Sequence, residues 1–286
     1  MEAPVVALVA KLTADRAPTG RVFKEIGKLV INMKLISSEE FSKKCDFILC
    51  PLYNKNINIP QKTPKRIFIT GEQGVFDSCI SNGILKNFNE KYELVYHRTD
   101  RTFDRFDLEC IKPYVSHIWA ENCEIEHPMI TRLPIGFSDK NKPKKLNLEK
   151  DILCYVNIGL PKTDEFKFIR YKSLRMDCLK HFSNKSWCTI DEKIPFEEFN
   201  EKMNRSKFVV CPMGFGIDTH RFYESVWLGC TPIVMSSGLD ELYKKYNALI
   251  VNSWEEVTEE LLINHIHKPV PDELFDVNYF LKCLPQ

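Results

Sequence analysis

The chain has 286 residues, 44% of them hydrophobic, enough for a substantial core in one large domain or two ordinary ones. Its 40 basic residues nearly balance 39 acidic ones, so no global field favours nucleic acid or an anionic membrane, and an anionic ligand must be met by locally placed cations. The 11 cysteines form no CxxC pair and several, such as Cys154 and Cys211, lie inside apolar runs, which reads as small buried hydrophobes in a reducing compartment.

Residues 1–10 carry Glu2 and only a short apolar patch, the pattern of neither a signal peptide nor a membrane anchor, so a cytoplasmic location is expected. Segment 28–36 fits strand and helix alike. Ser38, followed by Glu39, Glu40 and Phe41, reads as a capped helix start. Strands are predicted at 46–50, 66–70 and 93–96. The polar, charged, Pro-containing run 138–145 is linker chemistry and divides the chain into domains 1–145 and 146–286. The C-terminal segment is left free to pack back on the first domain. Beyond the linker come a strand at 152–157, a helix at 172–182 and a helix at 195–203, opened by Pro195 with Glu197 and Glu198 in its first turn. Strands at 207–211, 231–235 and 248–252 then alternate with helices at 219–228, 239–246 and 254–266. Such alternation makes parallel sheets covered on both faces: an α/β fold with two Rossmann-like domains facing across a cleft. Ligands of these sheets bind beyond the C-terminal strand ends, here the loops after Cys211, Met235 and Asn252.

From Cys211 to Glu224 a strand end, a loop holding Gly214 and Gly216, and a helix start follow one another. Glycine lets a backbone approach a phosphate closely, and helix-start N–H groups carry partial positive charge toward it. Asp218 or Thr219 caps the helix. His220 and Arg221 fall in its first turn, where a cation opposes the dipole unless a bound anion offsets the cost. Glu224 shares their face and is placed to accept hydrogen bonds from ribose hydroxyls. The same spacing also describes a plain tight turn with an Arg221–Glu224 surface pair.

The run 206–225, then Leu228-Gly229-Cys230-Thr231-Pro232-Ile233-Val234 and Leu249-Ile250-Val251-Asn252-Ser253-Trp254, resembles the C-terminal signature of exostosin-like glycosyltransferases of the GT-B fold. The resemblance covers roughly residues 150–265. It implies that this domain binds the donor nucleotide sugar, with Pro212, Gly214, Gly216, Asp218, Thr219 and His220 around the diphosphate. Arg221 would face that diphosphate as a catalytic cation, and Glu224 would meet the ribose. Asn157, Arg170, Ser253 and Trp254 are carried over as further nucleotide-sugar contacts. The implied donor is a uridine diphosphate sugar, with no separate cofactor, and the implied acceptor is a glycan or glycoprotein. Compact chains of this type in large algal viruses (chloroviruses) include xylosyltransferases of capsid glycans. UDP-xylose is therefore the first donor expected, and the host cytoplasm the setting. The segment Leu133-Pro134-Ile135-Gly136-Phe137 resembles the one that closes the first domain in this group.

In the first half, Arg66-Ile67-Phe68-Ile69-Thr70-Gly71-Glu72, with the later Tyr96-His97-Arg98-Thr99-Asp100, resembles inverting α-1,3-fucosyltransferases of the same fold. There the Glu is the general base that takes the acceptor hydroxyl's proton as the new bond forms. Glu72 is the expected base, with Asp77 and Asp100 as rivals. GDP-fucose is the alternative donor, and an inactive carbohydrate-binding protein of the same fold is the alternative function. The sign-alternating cluster from His97 to Asp107 reads as a solvated, salt-bridged face. Trp119 and Trp254 are candidates for stacking on a sugar or base. No DxD-like motif stands in the loop expected of a metal-dependent transferase, so cations and helix dipole are expected to stabilise the leaving diphosphate without a metal. No G-x-G-x-x-G opens the first strand–helix unit, which argues against a nicotinamide enzyme.

Overall fold

The structure is a computed structural model that describes residues 34–54, 58–160 and 166–282. Most of the undecided segment 28–36 therefore lies outside the described residues. Strands β1 (Phe47–Leu49), β2 (Arg66–Thr70), β3 (Tyr92–His97), β4 (Val115–Ala120) and β5 (Ile130–Arg132) form one parallel sheet in that spatial order. Strand β3 is buried at every position, as a parallel strand covered on both faces must be. Ile67, Ile69, Leu94, Tyr96 and Ile118 anchor the core on one face of this sheet.

Strands β6 (Ile152–Asn157), β7 (Cys188–Asp191), β8 (Ser206–Val210), β9 (Thr231–Met235) and β10 (Leu249–Val251) form a second parallel sheet, ordered β10-β9-β8-β6-β7. Its core gathers Cys154, Val156, Phe182, Phe208, Val210 and Ile233. Helices interleave with the strands of both sheets. The chain is thus an α/β protein built from two Rossmann-like halves. Every described cysteine is a free thiol. Among the described residues no helix is long and apolar enough to cross a membrane.

Local details correct several sequence expectations. The first described helix, Ser38–Ser42, is capped by Ser37, whose side chain accepts the Glu40 N–H, and not by Ser38. The helix predicted at 172–182 begins earlier and spans Phe166–Phe182. The single helix predicted at 254–266 is broken into a 3₁₀ turn, Trp254–Glu256, and a helix, Glu259–Asn264, capped by Thr258. The cluster 97–107 is not wholly solvated. His97 and Glu121 are fully buried against each other at 2.9 Å, while the His97 Nε2–H donates to the Pro134 carbonyl. Burial opposes the His97 charge, but the Glu121 carboxylate prevails and raises the imidazole's pKa. Buried Asp107 takes a bidentate pair from Arg101, at 2.7 Å to each oxygen, and completes a capping box with Asp104 for the helix Arg105–Ile111.

The linker run is pinned rather than loose. Asn200 and Asn204 of the helix Phe196–Arg205 bind the backbone of Lys144 and Leu146 at 2.8 to 3.0 Å. At the other end of the chain, Phe275 accepts the Ile36 N–H, and Phe280 in the helix Val277–Lys282 meets Phe41 edge-on at 6.5 Å. The C-terminal segment thereby lies against residues that lead into the first sheet.

Candidate functional site

The strand order of the second sheet creates a crevice by topology alone. β6 and β8 are hydrogen-bonded neighbours, but the chain leaves β6 toward β7 and leaves β8 toward β9, on opposite sides. Their following loops diverge, and ligands of doubly wound sheets bind in the gap so formed. Two arginines span it. Arg221 donates to the Asn157 carbonyl and, at 3.3 Å, to the Asn157 side-chain oxygen at the end of β6. Arg175 donates to the Gly159 carbonyl at 2.8 Å, after β6, and to the Met213 carbonyl at 3.0 Å, after β8. Loss of solvation, aided by the like charge of Arg221 and opposed by Tyr171, lowers the Arg175 pKa. Two like charges held together at a strand-end crevice repel each other, and an anion bound beside them relieves that repulsion.

Two cavities open here and share Pro212. The smaller, about 320 Å³, is lined by Arg175, Arg221, Thr219, His220, Glu224 and the rings of Phe196 and Phe199. The larger, about 980 Å³, is lined by the 212–215 loop, Tyr171, Ser236, Ser237 and Ser253 of the second half, and by Thr102 and Glu124 of the first.

The 214–224 segment divides into ligand-facing and structural residues. A side chain added at Gly214 would meet the Arg175 guanidinium at 3.7 Å, an ordinary contact, so packing does not require glycine here and the backbone lies beside that cation. Gly216 differs from the expectation that it admits a phosphate: an added Cβ would stand 2.6 Å from the Asn122 amide, so glycine is required here by the packing of one half on the other. Asp218 is likewise a correction. It is 3% exposed and lines neither cavity. Its carboxylate accepts from the Ile135 and Thr219 N–H groups and from the Tyr223 and Tyr243 hydroxyls, at 2.6 to 3.2 Å. Its own N–H donates to Asn122 at 2.9 Å, so it ties the two halves together. Desolvation pushes its pKa up to about 6 in spite of these donors.

Thr219, not Asp218, is the N-cap of the helix His220–Trp227, and its side chain makes no capping bond. His220 donates from Nδ1 to the Gly136 carbonyl at 2.7 Å, where Gly136 holds a left-handed φ of 69°. Arg221 lies over the Phe199 ring at 5.3 Å, and its buried Nε has no hydrogen-bond partner among the described residues. Glu224 is buried beside it; desolvation raises its carboxyl pKa against the pull of Arg221 and His220.

Other expected contacts fall elsewhere. Asn157 is spent on structure, its amide nitrogen donating to the Asp191 and Glu192 carbonyls and its oxygen holding Arg221. Trp254 borders the larger cavity but is 8% exposed and packs edge-on against Phe182, so it is chiefly core. Trp119 is fully buried, which removes it as a stacking surface. The Arg170 side chain lies outside the described residues.

The three candidate bases separate as well. Glu72 opens a 3₁₀ turn beyond β2, largely exposed, and its carboxylate is paired with Arg98 at 3.1 Å. Arg98 also reaches Asp139 and the Tyr53 hydroxyl, each at 3.2 Å. Asp77 pairs with Arg101 at 3.6 Å on the surface. Asp100, also exposed, faces the Gly216 N–H and the field of His220; partial loss of solvation first, and Glu121 second, raise its pKa. Sequence reasoning missed Arg175 and Asn122, since one reads as an ordinary helix-surface cation and the other as a loop amide. Among the described residues no group of three or more His, Cys, Asp or Glu side chains is arranged to hold a metal ion.

No protein-family profile matches the chain. In an alignment of 155 positions that covers 47% of this chain, it is 24% identical to a probable glycosyltransferase of Arabidopsis thaliana, and the matched stretch spans only 29% of that plant protein. In three dimensions it is similar to the UDP-GlcNAc 2-epimerase of Methanocaldococcus jannaschii, with 12% identity and a TM-score of 0.35, over 85% of this chain and 76% of that one.

Proposed function

We propose that the chain is a glycosyltransferase whose second half (146–286) holds a nucleotide sugar and whose first half (1–145) presents the acceptor. The observation that carries this reading is the pair Arg175 and Arg221, strapped across the β6–β8 crevice beside a cavity that also contains the Glu224 carboxylate. A pyrophosphate beside two guanidiniums and the Thr219–His220 helix start gains charge-assisted hydrogen bonds. In the same small cavity Glu224 accepts from ribose hydroxyls, and Phe196 and Phe199 flank the base. Similarity to the plant glycosyltransferase supports the reaction class.

The reaction is a single displacement with inversion. An acceptor oxygen attacks the anomeric carbon, the bond from that carbon to the diphosphate oxygen breaks, and the nucleoside diphosphate leaves with the bond's electrons. Arg175 and Arg221 meet the charge that develops on it, the role a metal plays elsewhere, so turnover persists in excess chelator. The acceptor proton passes to a carboxylate. Of the candidates, Asp100 fits better than Glu72, because its raised pKa and its place against Gly216 suit a base, whereas Glu72 is held by Arg98. UDP-xylose is the first donor to test and GDP-fucose the second.

The deciding experiment is a thermal-shift panel of nucleotides and nucleotide sugars, followed by assay of nucleotide release with the best binder. Binding to the native state alone raises the melting temperature by mass action. A shift with a nucleoside diphosphate and release from its sugar support the reading; no shift with any member rejects it.

A further inference from the structure

The turn that delivers Asp100 is clamped by side chains from the neighbouring strand ends. Thr70, at the end of β2, donates its hydroxyl to the Arg98 carbonyl at 2.8 Å. Glu121, just beyond β4, accepts the Arg98 N–H at 2.6 Å. Asn122 follows it, wholly buried in a left-handed conformation (φ 50°) that asparagine tolerates better than most residues. Its Nδ2 donates to the Thr99 carbonyl at 2.7 Å and to Glu121 at 3.3 Å. Two acceptors on that side fix which way the amide points. The Asn122 backbone carbonyl takes the Phe103 N–H at 3.2 Å, so the chain is tied down before and after Asp100. The Oδ1 atom faces the other half, where it accepts the Asp218 N–H at 2.9 Å. A Cβ on Gly216 would stand 2.6 Å from the same amide, so the loop after β8 closes on Asn122 only with glycine there. One side chain therefore holds both the residue before Asp100 and the loop that Asp100 faces.

We infer that Asn122 is a positioning residue that sets the Asp100 carboxylate against the donor loop. The role of that carboxylate as base rests on the transferase reading; the coupling of the two segments stands on the hydrogen bonds alone. Transfer between two halves needs such a coupling. The acceptor hydroxyl must meet the base on one half and the anomeric carbon held by the other at the same moment, and a displacement of about 1 Å costs about 100-fold in rate. Asn122 lines neither cavity, so its loss should act on the reaction rather than on donor binding.

The test compares the full-length wild type with two variants. Asn122→Gly keeps the left-handed backbone and removes the amide; Gly216→Ala presses on that amide from the other half. Nucleotide release is followed with UDP-xylose as donor and water as acceptor, or with GDP-fucose should UDP-xylose be inert, on monodisperse protein below its melting transition. Asn122→Gly should lose about 100-fold in kcat while the donor's KM stays within about twofold. Gly216→Ala should also lose kcat, and the double variant should be no slower than Asn122→Gly, because the amide that the added methyl strikes is gone. Hydrogen–deuterium exchange, which needs no substrate, should rise about tenfold in segments 98–103 and 213–219 together in Asn122→Gly. Wild-type kcat in Asn122→Gly, a KM that rises as far as kcat falls, or exchange that rises in one segment alone overturns the inference. Should both segments loosen together while the wild type releases no nucleotide from either donor, the coupling through Asn122 holds and the transferase reading falls.

Discussion

Asp218→Asn isolates the contact that joins the halves beside the site. The wild-type carboxylate receives four donors, from Ile135, Thr219, Tyr223 and Tyr243. An asparagine oxygen placed toward Ile135 and Tyr223 keeps those two bonds. Its amide then points at the Tyr243 hydroxyl, which can turn to accept, and at the Thr219 N–H, which cannot. One donor facing a donor in a buried site costs about 1–3 kcal/mol. The carboxylate carries an opposing penalty, since its pKa rises from 3.8 to about 6. That shift is on the order of 3 kcal/mol against the ionised form. A raised acid pKa stabilises the fold below the unfolded value and loses that contribution as pH rises through the folded one. Wild-type stability should therefore decline between about pH 4 and 6 relative to Asp218→Asn, which lacks the titration. At pH 4 the wild-type carboxyl is protonated and meets the same donor clash through its own O–H, so by chemical denaturation the variant should be close to wild type there, and at pH 8 more stable than wild type by up to about 3 kcal/mol. A difference that stays constant across this range would refute the buried-carboxylate argument.

Further outcomes follow from the site geometry. Arg175→Ala should lower kcat/KM about 10–100-fold, and Arg175→Lys should recover little, because one ammonium cannot bridge the Gly159 and Met213 carbonyls; steady-state assays of nucleotide release check both. Arg221→Ala should cut turnover about 10²-fold or more, since the charge it meets grows as the bond breaks; unchanged kinetics would remove it from the site. Glu224→Ala should act mainly on the donor's KM, and a variant that binds UDP as the wild type does would end the ribose assignment. Asp100→Asn should abolish transfer while leaving UDP binding intact, with Glu72→Gln milder; the reverse order returns the base to Glu72.

Much of the architecture was legible because parallel strands announce themselves as apolar runs. Arg66–Thr70, Ile152–Asn157 and Thr231–Met235 occur with the bounds their composition suggests, and the other four predicted strands agree within a residue at each end. The three strands not anticipated fail that pattern. Val115–Ala120 contains Ser116 and His117, whose polar atoms are satisfied by the Tyr92 carbonyl and Thr131. Ile130–Arg132 and Cys188–Asp191 are short edge strands, only partly buried. Within the site, the loop, the helix start, Arg221 and Glu224 were visible as a local run of residues. What local sequence cannot carry is the partner of each. Asp218 resembles a cap, but Ile135 and Asn122, far away in the chain, make it a strut. Arg175 acquires its meaning only when the helix Phe166–Phe182 brings it over the crevice.

The most direct measurement is calorimetric titration of the wild type and of the double variant Arg175→Ala/Arg221→Ala with UDP and with uridine. If these guanidiniums hold a pyrophosphate, the wild type binds UDP at least about 100-fold more tightly than uridine, and the double variant loses most of that difference while keeping its weak uridine affinity. Equal affinity of the wild type for the two ligands, or a UDP preference that survives loss of both arginines, would contradict it.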